Sequence, residues 1–257
     1  MRPLKLQVKP AGTPEGIRAN VQAALARGLP ELSVPPVTHD GTMVIVGSGP
    51  STPSMVEAIR DERALGRPIF AVKGAHDFLC QQGLQPDLWL CVDPRDRAYL
   101  LKEANDHTTY LISSRCDASM FEALANRKVL LVHTWSKEEH CDEYNGKLLV
   151  GGGTTSGLRA ITVAYVLGFR KIALYGFDSC LAPDRKTKRF TGEGVEPGKL
   201  VDVIVDGRRF WCNAAMAQQA HEFQDYYTVM PDLKVDAKGD GLIAAILTAR
   251  RKRGFPA

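Results

Sequence analysis

From Thr42 onward, short apolar runs alternate along the chain with segments in which apolar residues recur every three to four positions. The runs predict strands and the periodic segments predict helices. Most of the runs are apolar throughout, which is typical of strands whose two faces are both covered by helices. The predicted strands are 43–46, 68–73, 87–92, 109–114, 128–133, 147–150 and 171–176. Strands alternating with helices predict an α/β fold, a Rossmann-like, doubly wound and mainly parallel sheet with helices on both faces.

Two segments flank the predicted sheet domain, which we place at residues 42–235. Residues 13–29 have a helical apolar stripe preceded by a capping Thr13, and the proline-rich residues 30–41 resemble a linker. Residues 1–41 are therefore predicted to be an N-terminal helical arm. Residues 236–257 are predicted to hold a C-terminal helix and a basic tail.

Two further features are predicted inside the sheet domain. The polar residues 182–199 form a loop long enough to be a functional lid or a disordered insertion. The pair Asp206 and Gly207 lies between two apolar runs and predicts the turn of a hairpin.

The composition changes this picture little. The 257 residues are 44% hydrophobic and 24% charged, as in ordinary globular proteins, and the formal net charge is only +4. Basic residues cluster at 185–189 and 249–254, and such patches can bind nucleic acid or phosphate-rich ligands. A solvated loop and a frayed tail are the favoured interpretation, so nucleic acid is not a favoured partner.

The six cysteines show no C-x-x-C spacing, and several lie inside apolar runs. This pattern favours a reducing compartment over a disulfide framework. No apolar run approaches the roughly 20 residues that a membrane span requires, and the first residues lack the apolar core of a signal peptide. We expect a soluble, cytoplasmic protein without a membrane span.

Candidate chemistry lies just after the predicted strands, because open parallel sheets bind ligands beyond the carboxyl ends of their strands. The first glycine loop (residues 47–51) and the second glycine loop (residues 151–156) each join a strand to a helix. Glycine allows a backbone to approach a ligand closely, and the start of a helix attracts anions. The candidate nucleotide-binding residues are Gly47, Ser48, Gly49, Pro50, Ser51, Gly151, Gly152, Gly153, Thr154, Thr155 and Ser156.

A tight strand-to-helix turn explains either loop alone equally well, but the two loops together favour a nucleotide. Neither loop fits a P-loop, because no lysine follows the glycines. The sequence GSGPST also lacks the third glycine of the dinucleotide-binding fingerprint.

Acidic and histidine side chains follow three of the strands. Asp93 and Asp96 are candidate ligands for Mg²⁺ on a nucleoside triphosphate, since magnesium prefers oxygen ligands. Alternatively, Asp93 caps the turn around Pro94 and Asp96 faces solvent. His76 is a candidate acid–base or phosphate-contacting residue. Asp178 is a candidate for binding a ligand hydroxyl or ammonium group, or for capping the next turn.

Three segments carry a resemblance to a known family. VIVGSGPS (44–51), FAVKGAHDFLCQQGLQPDLWLCVDPRD (70–96) and GGGTTSGLRAITVAYVLGFRKIALYGFDSC (151–180) together resemble the MptE-like family, over about residues 42–235. That family includes archaeal 6-hydroxymethyl-7,8-dihydropterin pyrophosphokinases and bacterial flagellin-modifying glycosyltransferases. The resemblance implies a Rossmann-like transferase that uses a nucleotide donor.

Carried over by position, Gly47, Gly49, Pro50 and Ser51 would form the nucleotide loop. Asp93 would match the metal-binding acid, and Asp178 the acid after a later strand. The pyrophosphokinase branch tends to have D-x-D after the strand, whereas residues 92–96 read Val-Asp-Pro-Arg-Asp. This departure looks more like the glycosyltransferases.

Our first hypothesis is a magnesium-dependent transferase that passes a diphosphate from ATP to a small hydroxymethyl acceptor. Asp93, with Asp96, would hold the metal, and His76 would deprotonate the acceptor hydroxyl. The second hypothesis is a glycosyltransferase that uses a nucleotide-activated sugar, with Asp178 or His76 near the sugar. The third is a non-catalytic module that binds a nucleotide or a partner. A homo-oligomer is compatible with all three.

Overall fold

The computed structural model of the chain describes residues 11–135, 142–191 and 200–255. Its main element is an eight-stranded sheet in which all neighbouring strands are parallel. The strands are β1 (His39–Val46), β2 (Ile69–Val72), β3 (Leu88–Cys91), β4 (Thr109–Ser113), β5 (Lys128–Thr134), β6 (Leu149–Val150), β7 (Phe169–Tyr175) and β10 (Lys234–Ala237). A separate antiparallel hairpin consists of β8 (Val201–Val205) and β9 (Arg208–Cys212).

Seven α-helices accompany the strands within the described residues. They are α1 (Pro14–Leu25), α2 (Val56–Ala64), α3 (Ala75–Gln81), α4 (Ala118–Ala123), α5 (Ser156–Val166), α6 (Ala214–Val229) and α7 (Leu242–Lys252). Polar caps fix several helix starts, as expected for Ser, Thr, Asp and Asn at that position. Thr13 accepts a hydrogen bond from the Gly16 amide, and Pro14 occupies the first turn of α1. None of the described helices has the length and apolar character needed to cross a membrane.

The order of strands across the sheet is β10-β7-β1-β2-β3-β4-β5-β6. The chain moves outward from β1 to β6 and then returns to β7 on the other side of β1. The connections after β1 and β7 therefore leave in opposite directions and open a crevice at the carboxyl ends of these strands. The predicted Rossmann-like α/β class is confirmed.

The core lies on both faces of the sheet because successive residues of a strand point to opposite sides. In β1, Met43 and Ile45 pack on the face covered by α5, α6 and α7. Val44 and Val46 pack on the face covered by α2, α3 and α4. All four side chains are no more than 1% exposed. This double coverage explains why the strands read as continuous apolar runs.

The sheet extends beyond its predicted limits at both ends of the chain. Residues 30–41 were expected to be a linker, but β1 begins at His39 and Glu31 forms a parallel bridge with Leu131. β10, which pairs in parallel with β7, was not predicted because its sequence Lys-Val-Asp-Ala has a single large apolar residue. The predicted hairpin at Asp206 and Gly207 is confirmed, and both residues have positive φ (47° and 78°), as a type I′ turn requires.

Candidate functional site

A cavity of about 290 Å³ lies at the carboxyl ends of β1, β2 and β7. Residues 47–50 line it after β1, Lys73 after β2, and residues 176–180 after β7. Residues 155–157 at the start of α5 and Gln219 of α6 contribute further walls. The cavity therefore occupies the crevice that the strand order creates.

The first glycine loop packs directly against the chain that leaves β7. A Cβ atom on Gly49 would clash with the Asp178 carboxylate and lie 2.5 Å from the Gly176 carbonyl oxygen. On Gly47 it would lie 2.8 Å from the same carbonyl oxygen. Both glycines are thus required by backbone packing, while Ser48 and Pro50 face the cavity.

Asp178 fastens this loop in place. Its Oδ2 accepts hydrogen bonds from the amide of Ser51 at 3.0 Å and from the Ser51 hydroxyl at 2.9 Å. Its carbonyl oxygen accepts from the amide of Leu242 at 2.7 Å, which ties the start of α7 to the same point. Burial raises the pKa of the Asp178 carboxyl above its ordinary value, although the bonds from Ser51 act in the opposite direction.

The second glycine loop divides into two parts. The amide and hydroxyl of Thr154 both donate to Glu222 Oε2, at 2.9 and 3.0 Å, so this part is held by α6. Gly151, Gly152, Gly153 and Thr154 are not among the residues that line the cavity. Thr155 and Ser156 do line it, and Thr155 caps α5 by accepting from the Leu158 amide. The Arg159 amide donates to the Thr155 carbonyl oxygen at 3.1 Å, so of the first four amides of α5 those of Ser156 and Gly157 are available to an anion.

Asp93 lies in the turn after β3 and is held by two arginines. Arg95 donates from Nε to Oδ1 and from Nη2 to Oδ2, both at 2.8 Å, and Arg97 Nε donates to Oδ2 at 2.9 Å. Burial would raise the pKa of the Asp93 carboxyl, but the bonds from Arg95 and Arg97 outweigh it and hold the pKa well below its ordinary value. The carboxylate is therefore ionised and fully engaged.

The residues present do not form a magnesium site in this arrangement. Both oxygens of Asp93 face guanidinium groups, and Asp96 accepts from the Ala98 amide and the Ser119 hydroxyl instead. Within residues 11–135, 142–191 and 200–255, no group of three or more His, Cys, Asp or Glu side chains could hold a metal ion. The role of Asp93 and Asp96 as magnesium ligands stays a prediction from the sequence.

His76 does not reach the cavity. It is completely buried in the first turn of α3, with Nδ1 2.9 Å from Asp77 Oδ1 and Nε2 3.3 Å from the Tyr110 hydroxyl. The Trp89 ring packs edge-on against it. It is not a lining residue of the cavity. Its predicted acid–base role stays a prediction, and its contacts are those of a core histidine.

Lys73 is a cavity-lining cation that sequence reasoning missed. It lines the cavity, is half-buried, and its ammonium group makes no hydrogen bond or salt bridge with a described residue. Burial lowers its pKa, and the nearby charge of Arg189 acts in the same direction. Its backbone has a φ of 53° and its carbonyl oxygen accepts from Trp89 Nε1 at 2.8 Å, so the backbone is fixed. The signal was present, since Lys73 is the last residue of a predicted strand.

Among the described residues that line the cavity, cations outnumber acids. Its charged lining residues are four cations, Lys73, Arg95, Lys188 and Arg189, and one acid, Asp178. Lys188 and Arg189 belong to the loop 182–199, which was predicted to be a lid or an insertion; residues 192–199 of that loop lie outside the described residues. A cationic cavity at the start of a helix suits an anionic ligand.

Comparison with known proteins gives one family and a shared fold. A family model described as "6-hydroxymethylpterin diphosphokinase MptE-like" matches residues 19–184. The MAf glycosyltransferase from Magnetospirillum magneticum AMB-1 superimposes with a TM-score of 0.69 at 16% identity, over 91% of this chain and 38% of that one. The chain thus spans well under half of that enzyme, and the likeness at this identity concerns the fold alone.

A mammalian sialyltransferase is a more distant structural match. It has a TM-score of 0.43 at 10% identity, over 90% of this chain and 82% of that chain, and this likeness is too low to carry an argument. No curated protein matches the chain in sequence.

Proposed function

The chain belongs to the MptE-like family, and from that premise we propose that it is a transferase whose cavity holds the phosphate groups of a nucleotide-activated donor. The donor class that the geometry supports best is a nucleotide-activated sugar. The acceptor is then a hydroxyl group that displaces the nucleotide from the sugar.

The ammonium group of Lys73, which makes no hydrogen bond or ion pair with any described residue, carries this proposal. Burying a cation that makes no direct ion pair is costly, and at Lys73 the charge of Arg189 adds to this cost more than the charge of Asp93 offsets it. A bound phosphate would remove that cost by supplying the missing negative charge. Arg95, Lys188 and Arg189 line the same cavity, and the first amides of α5 add the positive end of a helix dipole.

Glycosyl transfer uses such a site directly. When the acceptor oxygen bonds to the sugar carbon, its proton passes to water, the bond from that carbon to the phosphate oxygen breaks, and the electron pair of that bond stays on the phosphate. Cations fixed around the phosphate stabilise the larger negative charge of the transition state more than the smaller charge of the bound donor. The engaged carboxylate of Asp93 and the Val-Asp-Pro-Arg-Asp sequence both favour this donor over a magnesium-bound triphosphate.

The second candidate is diphosphate transfer from a nucleoside triphosphate to a hydroxymethyl group. The description of the matching family favours it. The same cations would bind the triphosphate, and catalysis would again depend on positioning and charge rather than on a protein nucleophile.

A binding panel separates the two candidates. CMP, CTP, ATP and GTP are each added with Mg²⁺ or with EDTA, and the melting temperature is measured, because a ligand of the native state raises apparent stability by about 2.7 kcal/mol at a hundredfold excess over Kd. Monophosphate binding in EDTA supports the sugar donor. Triphosphate binding that requires Mg²⁺ supports diphosphate transfer.

The Lys73→Met variant tests the site itself. We expect nucleotide affinity, measured by isothermal titration calorimetry, to fall by about 10- to 100-fold, since a hydrogen bond to a charged group contributes about 1.5–3 kcal/mol. Lys102→Met is the matched control, because Lys102 is exposed and outside the cavity. Unchanged affinity in Lys73→Met would refute the proposed site. If none of the four nucleotides raises the melting temperature of the wild-type protein, the third hypothesis, a non-catalytic module, is favoured.

A further inference from the structure

We propose that Asp93 is a positioning residue that fixes Arg95 in the cavity, so that a guanidinium group stands where the sequence suggested a magnesium ion. The inference rests on the proposed function, because it assigns Arg95 to the phosphate of the donor. It gives Asp93 a role different from that of a metal ligand.

The geometry of the pair supports a fixed arginine. Side-chain exposure is 6% for Asp93 and 59% for Arg95, so a buried carboxylate holds a largely exposed guanidinium. The contact is bidentate, through Nε and Nη2, and the Arg95 amide also donates to Oδ1 at 3.2 Å. Arg95 Nη1 makes no hydrogen bond with a described residue, and Arg95 lines the cavity.

The turn that carries the pair is itself held firmly. Asn20 of α1 donates from Nδ2 to the Pro94 carbonyl at 3.3 Å and to the Arg115 carbonyl at 3.0 Å. Arg97 Nε occupies the second position on Oδ2. An arginine side chain loses rotamer entropy when it binds a ligand, and one that is already fixed loses less of it. A donor group that is fixed before the reaction stabilises the charge that develops on the phosphate in the transition state.

The charge balance agrees with this role. Asp93 with Arg95 and Arg97 forms a group of net charge +1, close enough for Asp93 and Arg97 to affect the titration of Lys73. A metal ion at Asp93 would have to displace two guanidinium groups from a buried carboxylate, and separating such pairs is costly. Asp96, three residues away, is exposed and accepts a hydrogen bond from the Ala98 amide, so Asp93 and Asp96 have different partners.

A double-mutant cycle tests the coupling. The probe is whichever of CMP, CTP and ATP the wild-type protein binds most tightly, and Kd is measured by calorimetry in EDTA and in Mg²⁺. We expect Asp93→Asn and Arg95→Met each to weaken binding about tenfold, and the double variant to bind no more weakly than Arg95→Met alone. Asp96→Asn should bind as the wild type does, and EDTA should change none of these values.

Three outcomes of the double-mutant cycle would overturn the inference. One is additive losses in the double variant, which would give Asp93 an independent role. Another is binding that needs Mg²⁺ and disappears in Asp93→Asn but not in Arg95→Met, which would make Asp93 a metal ligand. Absence of binding by the wild-type protein would instead refute the proposed function, and this inference with it.

The Arg95→Lys variant tests the same inference if Asp93→Asn does not fold. Arg95→Lys retains the charge but cannot make the bidentate pair, and Arg95 is exposed enough for its replacement to leave the fold intact. We expect Arg95→Lys to bind about as weakly as Arg95→Met. Binding at the wild-type level would show that charge alone matters and would overturn the role of Asp93.

Discussion

At Gly49, the lack of a side chain allows the loop after β1 to touch the chain leaving β7. The two glycine loops have similar sequences, yet their glycines face different surroundings. Gly47 and Gly49 meet the carbonyl oxygen of Gly176, while a Cβ atom on Gly151 would meet nothing within 4 Å. The same residue type is therefore required in one loop and replaceable at a position of the other.

This contrast predicts different effects of alanine at the two positions. Gly49→Ala should lower the free energy of unfolding by about 1–3 kcal/mol, because a methyl group is forced against Gly176 and Asp178. Gly151→Ala should change it by less than about 0.5 kcal/mol, and Gly151 has no positive φ to strain. Urea denaturation of both variants measures the difference. Equal destabilisation would show that the packing around Gly49 is not as described.

Individual residues also show how far the sequence could predict the site. The predicted residues that do line the cavity are Gly47, Ser48, Gly49, Pro50, Thr155, Ser156 and Asp178. Ser51 does not line it and instead donates to Asp178. Asp93 was placed after the correct strand, but residue type alone does not say whether its carboxylate faces a metal or an arginine two residues away. That choice depends on side-chain direction in a turn. Lys188 and Arg189 could not be assigned to the site because they come from a loop without periodicity.

At the scale of elements, α1 packs onto the sheet domain instead of standing apart from it. Ile17 and Val21 of α1 form a small apolar cluster with Tyr144, and Gln22 donates to Glu143 Oε1 at 2.6 Å. Asn20 reaches the turn of Asp93 and Arg95. The matched family model begins within α1, at residue 19. The helix therefore supports the geometry of the cavity although it does not line it.

We expect Asn20→Ala to loosen that turn. The variant leaves two carbonyl oxygens without their donor, which should cost about 1–3 kcal/mol of local stability. Hydrogen exchange followed by mass spectrometry should show faster exchange in α1 and in residues 93–97, with β7 unchanged. Gln22→Ala is the control, since it removes an exposed hydrogen bond of the same helix. Identical exchange in the two variants would contradict a bracing role for Asn20.

The elements that the sequence predicted are those with a strong period or a long apolar run. The helix predicted within residues 13–29 is observed at Pro14–Leu25. Six of the seven apolar strands were predicted within two residues of their observed bounds, while β1 begins four residues before its predicted start. The six residues of α4 are too few to show a helical period, and β10 is recognisable only through its pairing with β7. The secondary structure of such short segments depends on contacts with residues distant along the chain, and the local sequence does not reveal those contacts.

At the scale of the whole molecule, the reactivity of the thiols in the described residues measures how often the fold opens. Cys91, Cys116, Cys180 and Cys212 are buried, Cys80 is partly exposed, and all five are free. Burial raises the pKa of Cys80 and Cys180 to about 11 and that of Cys212 to about 12. Since the thiolate is the reactive form, these cysteines should react slowly in the folded protein.

We predict two kinetic classes in a thiol-labelling experiment. In a Cys141→Ser background, which removes the one cysteine outside the described residues, Cys80 should react with Ellman's reagent first. The other four should react together, at a rate that rises with urea as the global unfolding equilibrium does. Adding Cys80→Ser should abolish the fast class. Stepwise reaction of the four buried thiols in native buffer would instead reveal independent local openings.

The central position of β1 has a consequence for how this protein is made. Six residue pairs join β1 to β7, but β7 follows it by more than 120 residues along the chain. A ribosome adds about 5–20 residues per second, so a nascent β1 waits on the order of ten seconds for that partner. During this interval an apolar strand edge is open to other chains. Chaperone supply and translation speed should therefore govern the yield of folded protein more strongly than the final stability of the sheet does.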